Sequence, residues 1–359
     1  MLINKELLIR SLKKRNLGNF LFFKIKDILG KQPEPDYDFP LLINIETSSV
    51  CNLKCIHCPP QLNEFKSERR KHNFIDLSIF NKIMDEIDRH GKRSISLHKD
   101  GEPLIHPQIS SILNRVKKNK DHKVYITTNG HYLTEENIKL ILENRIDIIN
   151  LSIGAATKEF YELVRGKRFE RVISNIHNLL EAIKESEWKP RVLVQIINLK
   201  EINEIDSQIE AFKEYWQNYD VELAVWDKLN WGVFDNDSDF KFRYPCYSLW
   251  ESFNINSNNN VTACCMDWKQ ELLFGNISEQ SIEDIWKGKE IFSESGEVLI
   301  SVIKGSVDKA SENSKYQVDG LSGATITSNG VTNLLSFWLG DMGYGPLISQ
   351  LKNKELKDV

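Results

Sequence analysis

Three cysteines with a regular spacing are the residues in this chain best suited to chemistry. Cys51, Cys55 and Cys58 lie within eight residues, directly after an apolar run. Thiolates are soft ligands that suit iron–sulfur clusters or zinc. Three thiolates on a four-iron cluster leave one iron open to a substrate or cofactor. The alternatives are three unrelated buried thiols or a structural zinc knuckle, which usually needs a second pair of Cys or His nearby.

The remaining cysteines, Cys246, Cys264 and Cys265, form a second group. Clustered thiols without a secretion signal indicate metal ligands rather than disulfides, so we expect a reducing cytoplasm. We expect no membrane insertion, because the chain has no apolar run of 18 residues or more. The 47 basic and 51 acidic side chains give a net charge of −4, so we expect no general nucleic-acid partner.

The spacing of the first group, with the strand-like run 41–47 before it, resembles the CxxxCxxC signature of the radical S-adenosylmethionine (SAM) superfamily. The resemblance covers roughly residues 40–290. It implies a 4Fe–4S cluster on Cys51, Cys55 and Cys58, with SAM bound to the fourth iron. It also implies reductive cleavage of SAM to a 5′-deoxyadenosyl radical, which abstracts hydrogen from a substrate.

Three later segments resemble SAM-binding segments of that family. Gly101, Glu102 and Pro103 match its Gly-Glu-Pro motif, which implies that they receive the SAM ammonium. Asn129 matches a position near the SAM ribose, although an ordinary Asn-Gly turn explains the residue equally well. Ser152 is a further candidate for facing SAM, whereas we expect Arg165 to be structural. The sequence identifies no catalytic acid or base.

Strand-like and helical segments alternate along the chain and must position these residues. Predicted strands cover 41–47, 94–98, 124–130, 147–154, 191–197 and 221–226, with helical patterns between them. Such alternation favours parallel βα units, and six units predict an α/β fold with a partial (β/α)6 barrel. The candidate residues then gather where ligands bind, at the carboxyl ends of the strands.

Residues after the barrel resemble the SPASM or twitch extensions of radical SAM enzymes, which carry an auxiliary iron–sulfur cluster. Cys246, Cys264 and Cys265 match the first ligand positions, and residues 252–267 predict a hairpin. No cysteine follows Cys265, which departs from the family pattern. Asp267 is either a substitute oxygen ligand or a surface carboxylate.

The tail carries a signature of its own, which consists of Asp319, Ser322, Gly323, Ala324 and Thr325. Residues 296–352 resemble part of the FMN-binding C subunit of sodium-pumping NADH:quinone reductase, and we expect an α+β fragment there. The resemblance implies FMN linked through its phosphate to Thr325. The matching signature residues before it are Asp319, Ser322, Gly323 and Ala324.

These patterns divide the chain into four expected regions. They are an N-terminal helical extension with linker (1–38), the partial barrel (39–234), the SPASM/twitch-like region (235–292) and the FMN-binding-like tail (293–359).

The sequence thus predicts a radical SAM enzyme acting on a peptide or a small, sugar-like molecule, with a flavodoxin or ferredoxin as electron donor. Two alternatives stay open: an iron–sulfur and flavin electron-transfer fusion, and a chimera whose tail has no function.

Overall fold

A computed structural model describes residues 39–62, 72–229 and 252–287, together with the backbone of 301–302 and 317–318. The chain divides into two compact units, Met1–Tyr37 and Asp38–Val359, and the described residues all belong to the second. The helices expected in residues 1–30, Cys246 and Thr325 lie outside the described residues.

Strands and helices alternate through the first part of the described chain. The strands are β1 (Leu42–Ile45), β2 (Ser94–Ser96), β3 (Lys123–Thr128), β4 (Ile148–Ser152), β5 (Arg191–Asn198) and β6 (Glu222–Asp227). The helices are α1 (Leu77–Arg89), α2 (Ile109–Val116), α3 (Glu135–Glu143), α4 (Lys158–Val164), α5 (Phe169–Glu185) and α6 (Ile205–Trp216). The predicted fold class, with a parallel block of six strands forming a partial barrel, is confirmed.

Polar caps satisfy the first N–H groups of several helices. The Asp76 carboxylate accepts from Ser78 N and Ile79 N before α1, and Thr134 Oγ1 accepts from Asn137 N before α3. Helix α1 buries Phe80, Ile83 and Met84 against the sheet, which is the helical spacing the sequence predicts. Gly91, in the left-handed conformation at φ +77°, follows the end of α1.

Three more strands extend the same sheet. They are β7 (Ser252–Ile255), β8 (Asn260–Thr262) and β9 (Leu273–Asn276), followed by helix α7 (Ile282–Trp286). Strands β7 and β8 form the predicted antiparallel hairpin. The sequence did not predict that β7 pairs in parallel with β1, so that the strand order is β6-β5-β4-β3-β2-β1-β7-β8-β9.

Buried carboxylates and a lysine attach this extension to the parallel block. Glu46, fully buried after β1, accepts from Ser257 N and Ser257 Oγ, both at 2.9 Å. Glu86 on α1 accepts from Ile282 N and Glu283 N at the start of α7. Lys82 Nζ donates to the Ile277 carbonyl at 2.7 Å.

In the tail, the structure describes two short strands, β10 (Ser301–Val302) and β11 (Gln317–Val318), which pair in parallel. Within the part of the chain that the structure describes, no helix is long and apolar enough to cross a membrane.

Candidate active site

The cysteine loop leaves the carboxyl end of β1, an interior strand of the sheet. Its thiols are free: Cys55 is buried, Cys58 is half-buried and Cys51 is exposed. Cys58 N donates to the Cys55 carbonyl at 3.0 Å, which folds the loop tightly. Ile56 N donates to the Val164 carbonyl, so the end of helix α4 holds the loop from the other side.

The surroundings of the thiols oppose ionisation in the metal-free chain. Although the Cys51 residue as a whole is exposed, the protein atoms around its sulfur exclude water and raise the pKa of that thiol to about 11; burial also raises the pKa of the Cys58 thiol. The neighbouring thiols raise both pKa values again, so the three groups are close enough to interact. Thiolates here need positive charge beside them, which a bound metal centre supplies.

The thiols are not arranged around a single ion. Among the described residues, no group of three or more His, Cys, Asp or Glu side chains is placed to hold one metal ion, as zinc requires. A cubane cluster instead binds each thiolate through a different iron. Three free thiols on one short loop are a donor set that such a cluster can take.

Gly101 brings the segment after β2 against the cysteine loop. A Cβ at Gly101 would lie 2.1 Å from the Ser48 carbonyl oxygen, so only glycine allows this approach of two backbones. Glu102 N donates to the Val50 carbonyl at 2.9 Å, one residue before Cys51. Close contact with the cysteine loop thus explains why the Gly-Glu-Pro segment begins with a glycine.

The Glu102 carboxylate joins the ends of β2 and β3. It is 2% exposed and accepts from Leu104 N, Thr128 Oγ1 and Asn129 N at 2.8–3.1 Å. Burial raises its pKa to about 7, although these hydrogen bonds oppose the shift. A carboxylate has about four lone-pair sites, so capacity remains for one further donor, such as an ammonium group.

Asn129 lies beside the cysteines. Its Nδ2 donates to Asn52 Oδ1 at 2.9 Å and contacts Cys51 Sγ at 3.8 Å. Its Oδ1 accepts from His131 N, which forms the Asn-Gly turn predicted from the sequence. The residue therefore shapes the turn and also faces the loop.

Ser152 and Arg165 form a pair that the sequence did not predict. Arg165 Nη1 donates to Ser152 Oγ at 3.0 Å, while Arg165 Nε is buried without a hydrogen-bond partner. Burial tends to lower the pKa of Arg165, but nearby Cys55, Tyr161, Cys51 and Cys58 outweigh it and raise that pKa. A buried guanidinium with an unused N–H is suited to a carboxylate of a bound molecule.

The position of Arg165 explains why the sequence pointed to a structural role. An arginine at the end of a helix is commonly a favourable partner of the helix dipole. Only the structure shows the relation to Gly154, at φ +75°, where a Cβ would lie 3.0 Å from two atoms of the Arg165 side chain. Because Gly154 leaves room for the Arg165 side chain, the guanidinium is held in one position inside the protein.

The second cysteine group follows β8. Cys264 is half-buried and Cys265 is exposed. A hydrogen bond from the Cys265 side chain is the main cause that lowers the pKa of Cys264, to about 6. Both oxygens of the Asp267 carboxylate accept backbone N–H groups, from Glu271 and Leu272, so Asp267 closes this loop. The third predicted ligand, Cys246, lies outside the described residues.

Uncharged polar side chains line one face of the central strands. Asn150 Nδ2 donates to Gln195 Oε1 at 2.7 Å and contacts Thr127 Oγ1 at 3.5 Å. Gln195 Nε2 continues the row to Ser152 Oγ at 3.4 Å. Asn150 Oδ1 is buried without a hydrogen-bond partner. The opposite face of these strands carries aliphatic side chains of the core, including Ile126, Ile149, Leu151, Val192 and Val194.

Two family models match the chain. The radical SAM superfamily model matches residues 45–212. The SPASM model, described as an iron–sulfur cluster-binding domain, matches residues 246–306.

Solved structures share the fold. Native anSMEcpe with bound AdoMet has a TM-score of 0.52 at 14% identity, covering 88% of this chain and 99% of that one. Streptococcus suis SuiB bound to precursor peptide SuiA has a TM-score of 0.51 at 18% identity, covering 69% of this chain and 65% of that one.

Curated relatives match a short stretch. The C subunit of the Na(+)-translocating NADH-quinone reductase of Pseudomonas aeruginosa is 42% identical over 83 residues, which are 23% of this chain and 32% of the relative. The corresponding protein of Vibrio alginolyticus is 43% identical over 84 residues, again 23% and 32%. The chain therefore spans about a third of the length of these relatives.

The predicted resemblance to both families is thus confirmed. With a radical SAM superfamily domain matched at residues 45–212 and a SPASM domain matched at residues 246–306, the chain is a radical SAM enzyme.

Proposed function

We propose that the chain reductively cleaves SAM at a 4Fe–4S cluster on Cys51, Cys55 and Cys58 and abstracts hydrogen from a peptide or sugar-like substrate. The observation that carries the proposal is the buried Arg165, whose Nε lacks a partner within reach of three free thiols. When bound, the cluster supplies an electron and SAM supplies a carbon-centred radical. The chain itself supplies position, charge and exclusion of water.

The residues fit the polar ends of SAM. The open lone pair of Glu102 and the backbone of Gly101–Pro103 would receive the ammonium. The guanidinium of Arg165, held by Ser152, would receive the carboxylate. Asn129, which faces the cysteine loop, would contact the ribose.

The test removes the three thiols together. A Cys51→Ala, Cys55→Ala, Cys58→Ala variant, reconstituted with iron and sulfide without oxygen, should lose the visible absorbance of the first cluster and all formation of 5′-deoxyadenosine. The matched control, Cys264→Ala with Cys265→Ala, keeps the first group intact and should retain SAM cleavage. Cleavage that persists in the triple variant would refute the proposal.

The substrate class follows from the uncharged row formed by Thr127, Asn150, Gln195 and Ser152. Its one unpaired oxygen, Asn150 Oδ1, accepts an N–H or O–H donor without requiring charge. Peptide amides and sugar hydroxyls both meet this requirement, and the similar fold of SuiB is seen with a precursor peptide.

Deuterium labelling separates the two substrate classes. The reconstituted enzyme is incubated with SAM and either a deuterated peptide fraction or a deuterated small-metabolite fraction from a cell extract. Deuterium should enter 5′-deoxyadenosine from one fraction, and Asn150→Leu should reduce that transfer. Transfer from neither fraction would contradict hydrogen abstraction from these substrates.

The second cysteine group supports an auxiliary cluster. We propose Cys246, Cys264 and Cys265 as its ligands, and a flavodoxin or ferredoxin as electron donor. A cytoplasmic location belongs to the same proposal, since free thiols and clusters persist in reducing compartments.

A second candidate function rests on the likeness of the chain to the C subunit of the quinone reductase. We propose that FMN is attached at Thr325, which would make the chain an iron–sulfur and flavin electron-transfer protein. Co-expression with a flavin transferase should add the mass of one FMN to the intact chain, and Thr325→Ala should abolish the addition. An unmodified mass would favour a tail without a flavin function.

A further inference from the structure

Lys99 is a buried lysine at the end of β2 that the proposed SAM chemistry does not use. Its side chain is 2% exposed, and its Nζ donates to Asp100 Oδ2 at 2.8 Å. Lysine usually extends its ammonium into water, and a buried ammonium is costly unless it is paired and hydrogen-bonded. The fold therefore retains this charge in a place where an apolar residue would be less costly.

Both partners of Lys99 belong to segments next to cysteines. Asp100 precedes Gly101, and its charge is one of the causes that raise the pKa of Cys58. On the other side, Lys99 Nζ donates to the Asp267 carbonyl at 3.4 Å, across 168 residues of sequence. One ammonium thus contacts the region of the first cysteine group and the region of the second.

The Asp267 end of this contact closes the second cysteine loop. Asp267 N donates to the Cys264 carbonyl, and the Asp267 carboxylate accepts from Glu271 N and Leu272 N. Any shift of the Asp267 backbone therefore moves the turn that presents Cys264 and Cys265.

We propose that Lys99 is a positioning residue that couples the two cysteine sites. Its ammonium, held by Asp100, keeps the Cys264–Asp267 turn against the segment that leads into Gly101. Cluster binding at the second cysteine group then depends on Lys99, which lies in the segment next to the first cysteine group. The inference rests on the proposed function in one respect, that the second cysteine group binds an iron–sulfur cluster.

The first experiment uses the metal-free chain. In Lys99→Met, hydrogen exchange at the amides of Asp267, Glu271 and Leu272 should accelerate about tenfold or more, because a charged hydrogen bond that holds the turn is lost. Exchange in β5 serves as the internal reference and should not change. Lys99→Arg keeps a cationic donor and should restore much of the protection.

Lys82→Met is the matched control. Lys82 also donates to a carbonyl of the extension, that of Ile277, but it does so from helix α1 and not from the segment that leads into Gly101. It should leave the Asp267 turn protected. Unchanged exchange in Lys99→Met, faster exchange throughout the chain, or the same loosening of the turn in Lys82→Met would each overturn the inference.

The second experiment measures iron at the second site alone. In a chain with Cys51, Cys55 and Cys58 replaced by alanine, Lys99→Met should lower the iron incorporated per chain, whereas Lys82→Met should not. Iron that is unchanged in Lys99→Met contradicts the coupling and leaves the proposed cluster standing. An absence of iron with Lys99 intact contradicts the auxiliary cluster itself, and the coupling with it.

Discussion

Replacing Arg165 by methionine should separate binding from stability. Arg165 is buried, and its Nε has no hydrogen-bond partner. In the metal-free chain the raised pKa values keep the thiols of Cys51 and Cys58 protonated at neutral pH, so the partly ionised Glu102, whose pKa is about 7, is the main negative charge near Arg165. The metal-free protein therefore bears part of the cost of a buried cation, which the carboxylate of a bound molecule would relieve further.

The two expected effects have opposite signs. A buried cation with an unused N–H carries a desolvation cost that methionine does not, so the melting temperature of metal-free Arg165→Met should stay or rise. A charged hydrogen bond to the SAM carboxylate contributes about 1.5–3 kcal/mol, so SAM affinity should fall by about 10- to 150-fold.

The assay combines thermal unfolding of the metal-free chain with equilibrium dialysis of SAM against the reconstituted one. Arg165→Lys keeps the charge without the planar fork and should bind SAM with intermediate affinity. Arg191→Met breaks an exposed pair with Glu222 and should change neither quantity by much. A large fall in melting temperature, or unaltered SAM affinity, in Arg165→Met would refute the reasoning and restore a structural role.

Three further changes test the framework around the site. Gly101→Ala places a Cβ 2.1 Å from the Ser48 carbonyl oxygen and should lower the free energy of unfolding by about 1–3 kcal/mol or more. The control Gly91→Ala strains the backbone but meets no neighbouring atom, and should cost about 1–2 kcal/mol. Equal losses in thermal unfolding would contradict the close approach at Gly101. Glu86→Ala leaves two N–H groups of α7 without an acceptor and should lower the free energy of unfolding by about 1–3 kcal/mol for each. The control Glu181→Ala removes a carboxylate from an exposed ion pair and should cost under about 1 kcal/mol. A small effect of Glu86→Ala would mean that α7 does not depend on Glu86. The pKa of Glu102 is raised to about 7, so the folded metal-free chain keeps this proton at pH values where the unfolded chain has lost it. The free energy of unfolding should therefore fall by on the order of 3 kcal/mol as the pH rises from about 4.5 to 7. Glu102→Gln should flatten that slope, and an unchanged slope would assign it to another group.

Much of the framework was predictable because it depends on local patterns. The predicted strands 94–98 and 191–197 correspond to β2 and β5, and the spacing of Phe80, Ile83 and Met84 predicts the buried face of α1. Apolar periodicity and helix caps extend over a few residues, so they can be read from the sequence directly.

Long-range contacts explain what was missed. The pairing of β1 with β7 joins residues about 210 positions apart, as in the bond from Asn44 Nδ2 to Asn254 Oδ1, and it leaves no local pattern. The place of Arg165 depends on how α4 packs against the cysteine loop, which the spacing of the cysteines does not specify. The roles of Cys51, Cys55, Cys58, Asn129 and Ser152 stay predictions, and those of Cys246 and Thr325 concern residues outside the described part.

The central position of β1 also sets an order of events during synthesis. The ribosome makes β1 and its cysteine loop early, whereas β7, which pairs with β1 on the side opposite β2, follows about 210 residues later. At about 5–20 residues per second, one side of β1 stays open for about 10–40 s. During this interval Glu46, at the end of β1, lacks the Ile255 carbonyl that accepts its N–H and the Ser257 groups that donate to its carboxylate. Nascent chains stalled before residue 252 should exchange the Glu46 amide hydrogen faster than released chains, and equal rates would contradict this order of events.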